Sequence, residues 1–384
     1  MGADVTAAKY RVPSARKIWL NVHLWLGLSV GLVLSVIGIT GAILAFYNPI
    51  LMAEVGNDNF RVEAPPSSRP DIDEWIAGAR RAYGDFGRVS FVMGPGFSLG
   101  FADAANLGIV APDGKRATIT IDSSNGRPIG RFKWEDSYSF ALLSFHARLT
   151  PLSWGADALA WIGVSMLVSM ATGLYLWWPR NRNWRNAFAF KRGARGRRRL
   201  LDLHNLFAVY LYIPLFILAV TGIYFLKPHW IDPAVLLVSV PRTPDSAALG
   251  RISKPGACGT RTTPGQAVHV ALAEYPTSKF VALRLPTEER EPYSIRLAAP
   301  NNVNDKGQTQ VYVDRECPII LTAIDGEVRV ASEVFQAVVF PLHRDLMLGR
   351  IGSIVVLLSG LLLPFSFVTG ILLWLDKRKN RKLL

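Results

Sequence analysis

The sequence is short of the residues that several common kinds of site require. Only two of its 384 residues are cysteines, Cys258 and Cys317, which is too few for a cluster of thiolates such as a four-cysteine zinc site. No Gly-x-Gly-x-x-Gly motif follows a strand-like segment, which argues against a Rossmann-type site for NAD(P)H or flavin. Acidic residues are nearly absent from three segments, 1–17, 179–200 and 376–384.

Apolar residues, by contrast, are abundant and grouped in long runs. Half of the residues are hydrophobic. A helix needs about 20 apolar residues to cross a hydrocarbon core of ~30 Å. Four runs reach that length, at 18–47, 156–178, 203–226 and 351–375, and we expect each to form a transmembrane helix. The first run is too long for a cleavable signal.

The basic residues predict the orientation of these helices. The three acid-poor segments contain 18 of the 43 Lys and Arg residues and two acids, so they carry a charge of +16 and the rest of the chain carries −2. Since Lys and Arg accumulate on the cytoplasmic side, we expect both termini to be cytoplasmic, in the inner membrane of a bacterium. Orientation against anionic membrane lipid explains this charge, which does not indicate nucleic acid.

The two long connections then lie in the periplasm, and both cysteines fall in the second of them. A disulfide is possible there, with two separate thiols as the alternative. The predicted order is a cytoplasmic N-terminus (1–17), first transmembrane helix (18–47), periplasmic domain (48–140), interfacial segment and second transmembrane helix (141–178), basic cytoplasmic loop (179–200), third transmembrane helix (201–226), second periplasmic domain (227–340), interfacial segment and fourth transmembrane helix (341–375) and cytoplasmic C-terminus (376–384).

An internal repeat relates the two halves of the chain. Four histidines each precede a Thr-Gly pair, two of them by 17 residues and two by 26. The matches are His23 with Thr40-Gly41 and His204 with Thr221-Gly222, then His146 with Thr172-Gly173 and His343 with Thr369-Gly370. The pattern indicates two copies of a helix, domain, helix unit in the same orientation, related by a two-fold axis along the membrane normal.

The long connections carry matching signals for secondary structure. Residues 118–122 and 310–314 alternate in polarity and are followed by turns, which is typical of strands. Segments 71–83 and 264–275, near the start of each domain, predict helices. The expected fold is therefore a membrane α+β protein, with four transmembrane helices in a two-fold internal repeat that carry two periplasmic α+β domains.

Depth in the membrane decides which histidines meet. His23 and His204 begin outward-running helices at the cytoplasmic edge, whereas His146 and His343 precede inward-running helices at the periplasmic edge. An α-helix rises about 1.5 Å per residue, so 17 residues span ~25 Å. We therefore predict an inner site with His23 and His204 and an outer site with His146 and His343. For any single intramembrane histidine, a hydrogen-bonded core residue is the alternative.

Two imidazoles on facing helices suit the axial positions of a haem, whose porphyrin supplies the other four ligands. Zinc requires four protein ligands, or three and a water, and no cysteine or carboxylate cluster accompanies these histidines. Because the sequence has no Cys-x-x-Cys-His motif, the predicted cofactors are two haem b groups held without thioether bonds. Arg148 and Arg344 follow the outer histidines and are candidates for binding the propionates, with ordinary surface charges as the alternative.

The repeated histidines and Thr-Gly pairs, with the segments Asn-Val-His-Leu-Trp-Leu-Gly (21–27) and Asp-Leu-His-Asn (202–205), resemble the PepSY-associated transmembrane family over nearly the whole chain. The strand-turn segments at Asp122 and Asp314 look like the PepSY element. Within the family, the chain is most similar to FoxB-like ferric-siderophore reductases of bacterial inner membranes. The resemblance implies reduction of siderophore-bound Fe(III) in the periplasm, with the four histidines as axial ligands. One departure is Arg-Glu-Cys-Pro (315–318) where the first domain has Ser-Ser-Asn-Gly (123–126).

Two other functions fit the same sequence. The helices could simply anchor periplasmic modules that bind a ligand without redox activity, or the chain could transport a siderophore or haem. Pro214 and Pro364 lie in the third and fourth apolar runs and can bend them, but paired broken helices typical of transporters are not evident. Because the cytoplasmic segments are too short for a nucleotide-binding domain, we expect quinol or a separate cytoplasmic reductase to supply electrons.

Overall fold

In the computed structural model of the protein, the residues described are 14–64, 70–96, 104–179, 184–191, 193–288, 290–302, 307–328 and 330–382. The chain divides into two compact units. The helical unit comprises Met1–Ala45, His146–Pro228 and Leu342–Leu384, and the sheet unit comprises Phe46–Phe145 and His229–Pro341.

The described residues form thirteen α-helices and eight β-strands. The helices are α1 (Ala15–Leu44), α2 (Tyr47–Val55), α3 (Ile72–Tyr83), α4 (Tyr138–Arg148), α5 (Gly155–Trp177), α6 (Trp184–Ala187), α7 (Gly196–Tyr210), α8 (Tyr212–Leu226), α9 (Pro228–Leu236), α10 (Ser246–Leu249), α11 (Pro264–Glu274), α12 (Ala331–Asp345) and α13 (Gly349–Lys382). The strands are β1 (Arg88–Met93), β2 (Ala104–Val110), β3 (Arg116–Asp122), β4 (Pro128–Phe132), β5 (Lys279–Arg284), β6 (Tyr293–Ala298), β7 (Thr309–Val313) and β8 (Ile320–Ile324). Two short 3-10 helices cover Asn57–Phe60 and Trp134–Asp136.

The helical unit has the apolar helices of a membrane protein. Within the described residues, α1, α5 and α13 are each long and apolar enough to cross a membrane, and α7 with α8 is a fourth candidate span that is bent by 61°. Large apolar side chains cover the outside of these helices, with Trp25, Trp161, Ile213 and Ile351 all more than 60% exposed. Such surfaces are stable in contact with lipid rather than water.

The third predicted span differs from the single helix expected over 201–226. Helix α7 ends at Tyr210 and α8 begins at Tyr212. Pro214 lies in the first turn of α8. Because proline has no N–H, it cannot bond to the carbonyl of Tyr210, and its ring crowds that carbonyl. In the fourth span, by contrast, Pro364 lies within one continuous helix, α13.

The histidines expected beside the second and fourth spans lie on short helices of their own. His146 is in the last turn of α4 and His343 is near the end of α12. After each helix the backbone enters the left-handed region, with φ of 52° at Leu149 and 54° at Leu346. That conformation is unfavourable for a branched L-residue and is incompatible with a continuing right-handed helix. The chain therefore turns between each histidine helix and the span that follows it.

The sheet unit contains one antiparallel sheet of eight described strands in the order β4-β3-β2-β1-β5-β6-β7-β8. The two predicted strands are confirmed as β3 and β7, and the two predicted helices as α3 and α11. Each half of the sheet is formed by one of these helices followed by four strands.

The two segments that the sequence predicts as periplasmic domains each contribute four strands to this one sheet. Strands β1 and β5 pair at the centre, where Val92 is opposite Leu283. Each four-stranded half would otherwise leave one of these strands as an unpaired edge, which invites pairing with another chain. The apolar core is also common to both halves, since the fully buried Ile119 and Ile295 belong to one cluster.

The predicted strand-turn segments end in two buried aspartates. Asp122 accepts hydrogen bonds from the amides of Glu63 and Ser124, both at 2.9 Å, and from the Ser124 hydroxyl at 2.6 Å. Asp314 accepts from the amides of Ser253 at 2.7 Å and Glu316 at 2.8 Å. Burial alone raises a carboxyl pKa, but these donors outweigh it and lower the pKa of both aspartates.

The two turns diverge beyond this shared aspartate. Cys317 forms a disulfide with Cys258, which selects between the two alternatives for the cysteines. Glu316 beside it is buried and forms ion pairs with Arg261 at 3.2 Å and Arg315 at 3.4 Å. The second turn is therefore held by a covalent bond and charges, whereas the first is held by serine and asparagine hydrogen bonds.

Candidate functional site

The four repeat-related histidines form two pairs within the helical unit. The ring centroids of His23 and His204 are 6.3 Å apart, and their planes are inclined at 86°. The centroids of His146 and His343 are 6.4 Å apart, with planes at 54°. All four side chains are partly buried. The structure thus brings together the histidines in the combinations that depth along the sequence predicts.

Each pair takes one histidine from each half of the chain. His23 lies on α1 and His204 on α7, whereas His146 lies on α4 and His343 on α12. The two pairs are at different levels of the helical unit, because about 25 Å of helix separates His23 from Thr40 and Thr40 contacts His146.

Each histidine Nδ1 lies within hydrogen-bonding distance of a threonine hydroxyl. The Nδ1–Oγ1 distances are 3.1 Å for His23 and Thr172, 2.9 Å for His146 and Thr40, 2.9 Å for His204 and Thr369, and 2.8 Å for His343 and Thr221. These are the threonines of the four Thr-Gly pairs. The sequence showed their spacing but not their contact, so their part in the site was missed.

The threonine for each histidine comes from another helix of the same half of the chain. Helix α1, for example, supplies His23 to one pair and Thr40 to the other. At 3.6 residues per turn, the 17 positions between them leave Thr40 about 100° around the helix from His23. One straight helix can therefore serve both pairs on two of its faces.

The glycine after each threonine gives the imidazole room. A Cβ atom built on Gly41 would lie 2.8 Å from His146 Cε1, and one on Gly173 would lie 3.0 Å from His23 Cε1. The corresponding distances are 3.4 Å for Gly222 and His343 and 3.9 Å for Gly370 and His204. A side chain at Gly41 would therefore force the ring of His146 to shift, one at Gly173 would crowd the ring of His23, and one at Gly370 would be in ordinary contact with the ring of His204.

The separation of the rings in each pair matches that of two imidazoles bound to one metal ion. A metal–imidazole bond is about 2 Å long and a ring nitrogen lies ~1.1 Å from its centroid, so imidazoles on opposite sides of one metal have centroids ~6 Å apart. The observed distances are 6.3 and 6.4 Å. No group of three or more His, Cys, Asp or Glu side chains suited to a metal occurs in the part of the chain that the structure describes. Two imidazoles without further protein ligands would suit a haem, which supplies four ligands of its own, and would not complete a tetrahedral zinc site.

The two arginines proposed for the propionates have different surroundings. Arg344 pairs with the buried Asp345, at 2.9 Å through Nε and 2.7 Å through Nη2. Arg148 is exposed and, among the described residues, has no acidic partner within 4 Å. It lines a cavity of about 270 Å³ together with Phe225, whose ring lies 5.4 Å from that of His343. Arg148 is thus the better placed of the two to receive an anion.

Comparison with known families supports a relationship over almost the full length. The model of the PepSY-associated TM region matches residues 20–377, a range that includes all four histidines and all four Thr-Gly pairs. No curated protein matches the chain.

Proposed function

The chain belongs to the PepSY-associated TM family, and we propose that it is a di-haem membrane oxidoreductase that delivers electrons to a ferric siderophore in the periplasm and releases Fe(II). The observation that carries the proposal is the presence of two histidine pairs, in each of which the ring centroids are separated by the distance expected for two imidazoles bound to one metal ion. The Nδ1 atom of each histidine is also within hydrogen-bonding distance of a threonine hydroxyl. A structural histidine needs no partner histidine at this distance, and four of them in two matched pairs require a common explanation.

In this proposal His23 and His204 hold the inner haem iron, and His146 and His343 hold the outer one. Haem, when bound, supplies an iron that takes up and releases single electrons. The protein fixes the positions of the ligands through the helices that carry them. Met166, Leu215, Ala219 and Leu362 form a buried apolar cluster in the helical unit, and its low polarity disfavours water there.

The finer parts of the architecture belong to the same proposal. The basic segments orient both termini to the cytoplasm of a bacterium, in the inner membrane. The two halves are copies of one unit, and each half of the sheet is a PepSY-like domain. The equal histidine spacings and the helix-plus-four-strand order of each half support this assignment.

The proposed substrate follows from the family resemblance and from the chemistry of iron. Hard siderophore oxygens bind Fe(III) far more tightly than Fe(II), so transfer of one electron to each Fe(III) weakens its hold in the chelate. The electron comes from quinol or from a separate cytoplasmic reductase.

The absorption spectrum of the detergent-purified full chain tests this proposal. We expect two low-spin b-type haems per chain, falling to one in either His23→Ala or His343→Ala. The matched control is His269→Ala, a histidine on α11 of the sheet unit, which should retain both. A colourless protein would instead favour a membrane-anchored binding protein.

Substrate use is tested separately. Chemically reduced protein should be reoxidised by a ferric siderophore, with Fe(II) captured by a colour-forming chelator at one Fe(II) per electron. The Ga(III) form of the same siderophore has the same shape but is not reduced, so it should leave the protein reduced. Reoxidation by neither form would rule out the proposed substrate while leaving the haem sites intact.

A further inference from the structure

The threonine hydroxyls beside the histidines have their single protons already committed. Thr40 donates to the carbonyl of Ile37 at 2.9 Å and Thr172 to that of Ser169 at 2.9 Å. Thr221 donates to Ile217 at 2.6 Å, and Thr369 to Phe365 at 2.9 Å. A hydroxyl has one proton and two lone pairs. Each hydroxyl therefore presents a lone pair to the imidazole.

An Oγ1 lone pair at 2.8 to 3.1 Å from Nδ1 requires that Nδ1 carry the proton. His23 gives independent support, because the carbonyl oxygen of Ser169 is also 3.0 Å from its Nδ1, and a carbonyl can only accept. In a neutral imidazole with a protonated Nδ1, the free lone pair is on Nε2. The four threonines thus select the tautomer in which Nε2 is available to bind a metal.

We propose that Thr40, Thr172, Thr221 and Thr369 are positioning residues that hold the four histidines in the Nδ1–H tautomer and set the redox potentials of the two sites. The inference rests on the proposed function. A hydrogen bond donated from Nδ1–H makes the imidazole more basic and favours the ferric over the ferrous state. Loss of the acceptor should therefore raise the midpoint potential of the site whose histidine it contacts.

Each threonine contacts a histidine of only one pair, so its loss should change the midpoint potential of only that site. Thr172 and Thr369 act on the pair of His23 and His204, whereas Thr40 and Thr221 act on the pair of His146 and His343. In each Thr-Gly pair the threonine hydroxyl accepts the hydrogen bond from the histidine, and the glycine leaves space for the imidazole ring. Thr40 lies on the same helix as His23 but contacts His146 of the other pair. Its substitution should therefore change the site that it contacts and not the site of the histidine on its own helix.

Spectroelectrochemical titration of the full-length protein, in Thr→Val and Thr→Ser variants, tests the proposal. Valine keeps the shape and removes the acceptor, whereas serine keeps the acceptor. We expect Thr172→Val to raise one midpoint potential and Thr40→Val the other, each by a tenfold change in the ferric preference, equivalent to about 59 mV for one electron. The serine variants should remain near the wild-type potentials.

Ser35 and Ser359 provide matched controls. Both are buried on α1 and α13, and each hydroxyl donates to a carbonyl of its own helix, but neither is bonded to a histidine. Ser35→Ala and Ser359→Ala should leave both potentials unchanged. A valine variant that loses only its own haem, while the serine variant retains it, also supports the proposal.

Two results would overturn the proposal. One is that all four valine variants retain two haems with unchanged midpoint potentials. The other is that the valine and serine variants show equal shifts of potential or equal losses of haem, which would indicate that the threonines act by packing alone. Absence of haem from the wild-type protein would refute the proposed function instead, so the two failures are distinguishable.

Discussion

The imidazole planes of His23 and His204 are nearly perpendicular, at 86°, although their centroids are as far apart as two axial ligands of one metal. His146 and His343 are equally spaced but inclined at only 54°. Both sites therefore consist of two histidines, but the angle between the two imidazole planes differs from one site to the other.

This difference predicts two distinct low-spin ferric signals in electron paramagnetic resonance. Perpendicular axial planes bring two iron d-orbitals close in energy, so the site of His23 and His204 should give the more anisotropic signal, with the larger maximum g value. His23→Ala should abolish that signal and preserve the other. A single signal integrating to two haems would contradict the difference in geometry.

The spacing at the glycines predicts unequal effects of adding a methyl group. Gly41→Ala places a Cβ atom 2.8 Å from the ring of His146, whereas Gly370→Ala places one 3.9 Å from the ring of His204. We expect Gly41→Ala to displace His146 and reduce haem occupancy at that site. Gly370→Ala is the matched control, with two haems retained, and equal haem contents in the two variants would show that ring clearance is unimportant.

The two arginines should respond differently to removal of charge. Arg148→Gln removes an exposed cation, so we expect haem affinity at the site of His146 and His343 to fall by only about threefold to fivefold. Arg344→Gln removes the cation that pairs with the buried Asp345, which should lower the unfolding temperature. Haem titration and thermal unfolding measure the two effects. The reverse pattern would assign the propionates to Arg344.

The disulfide predicts a large contribution to the stability of the sheet unit. Cys258 and Cys317 are 59 positions apart. A cross-link that closes a loop of that length stabilises the folded state by about 4 kcal/mol, because it lowers the conformational entropy of the unfolded chain. The double variant Cys258→Ser, Cys317→Ser should therefore unfold at lower denaturant concentration. The wild-type protein treated with a reductant should match it, and unchanged stability in both would mean that the unfolded loop is already constrained.

The two buried aspartates predict a loss of stability in acid. Their pKa values are lowered in the folded state, from about 3.9 in an unfolded chain. They therefore stabilise the fold fully above that pH, and the contribution disappears as the pH falls through the lower folded values.

Hydrogen exchange of β3 and β7 in the full chain, corrected for the intrinsic effect of pH, should show protection falling below about pH 4. The double variant Asp122→Asn, Asp314→Asn should be less protected at neutral pH and should change less on acidification. Protection that is constant down to pH 2 would contradict this role.

Much of the helical unit was predictable because distance along a helix is fixed by its rise per residue. The apolar runs located the spans, and the spacing of His23 and Thr40 placed two sites at two heights. The bend at Leu211 was less predictable, since Pro214 and Pro364 lie in similar apolar runs but only the first accompanies a break.

The sequence by itself determined which residues are apolar enough for lipid, which histidines share a level and which residues recur in both halves. Only the tertiary structure decided that Thr172 meets His23, that Thr40 meets His146, and that the two predicted domains share one sheet through β1 and β5. The physical reason is that heights follow from covalent geometry along one helix, whereas contacts between elements depend on how their faces turn when they pack.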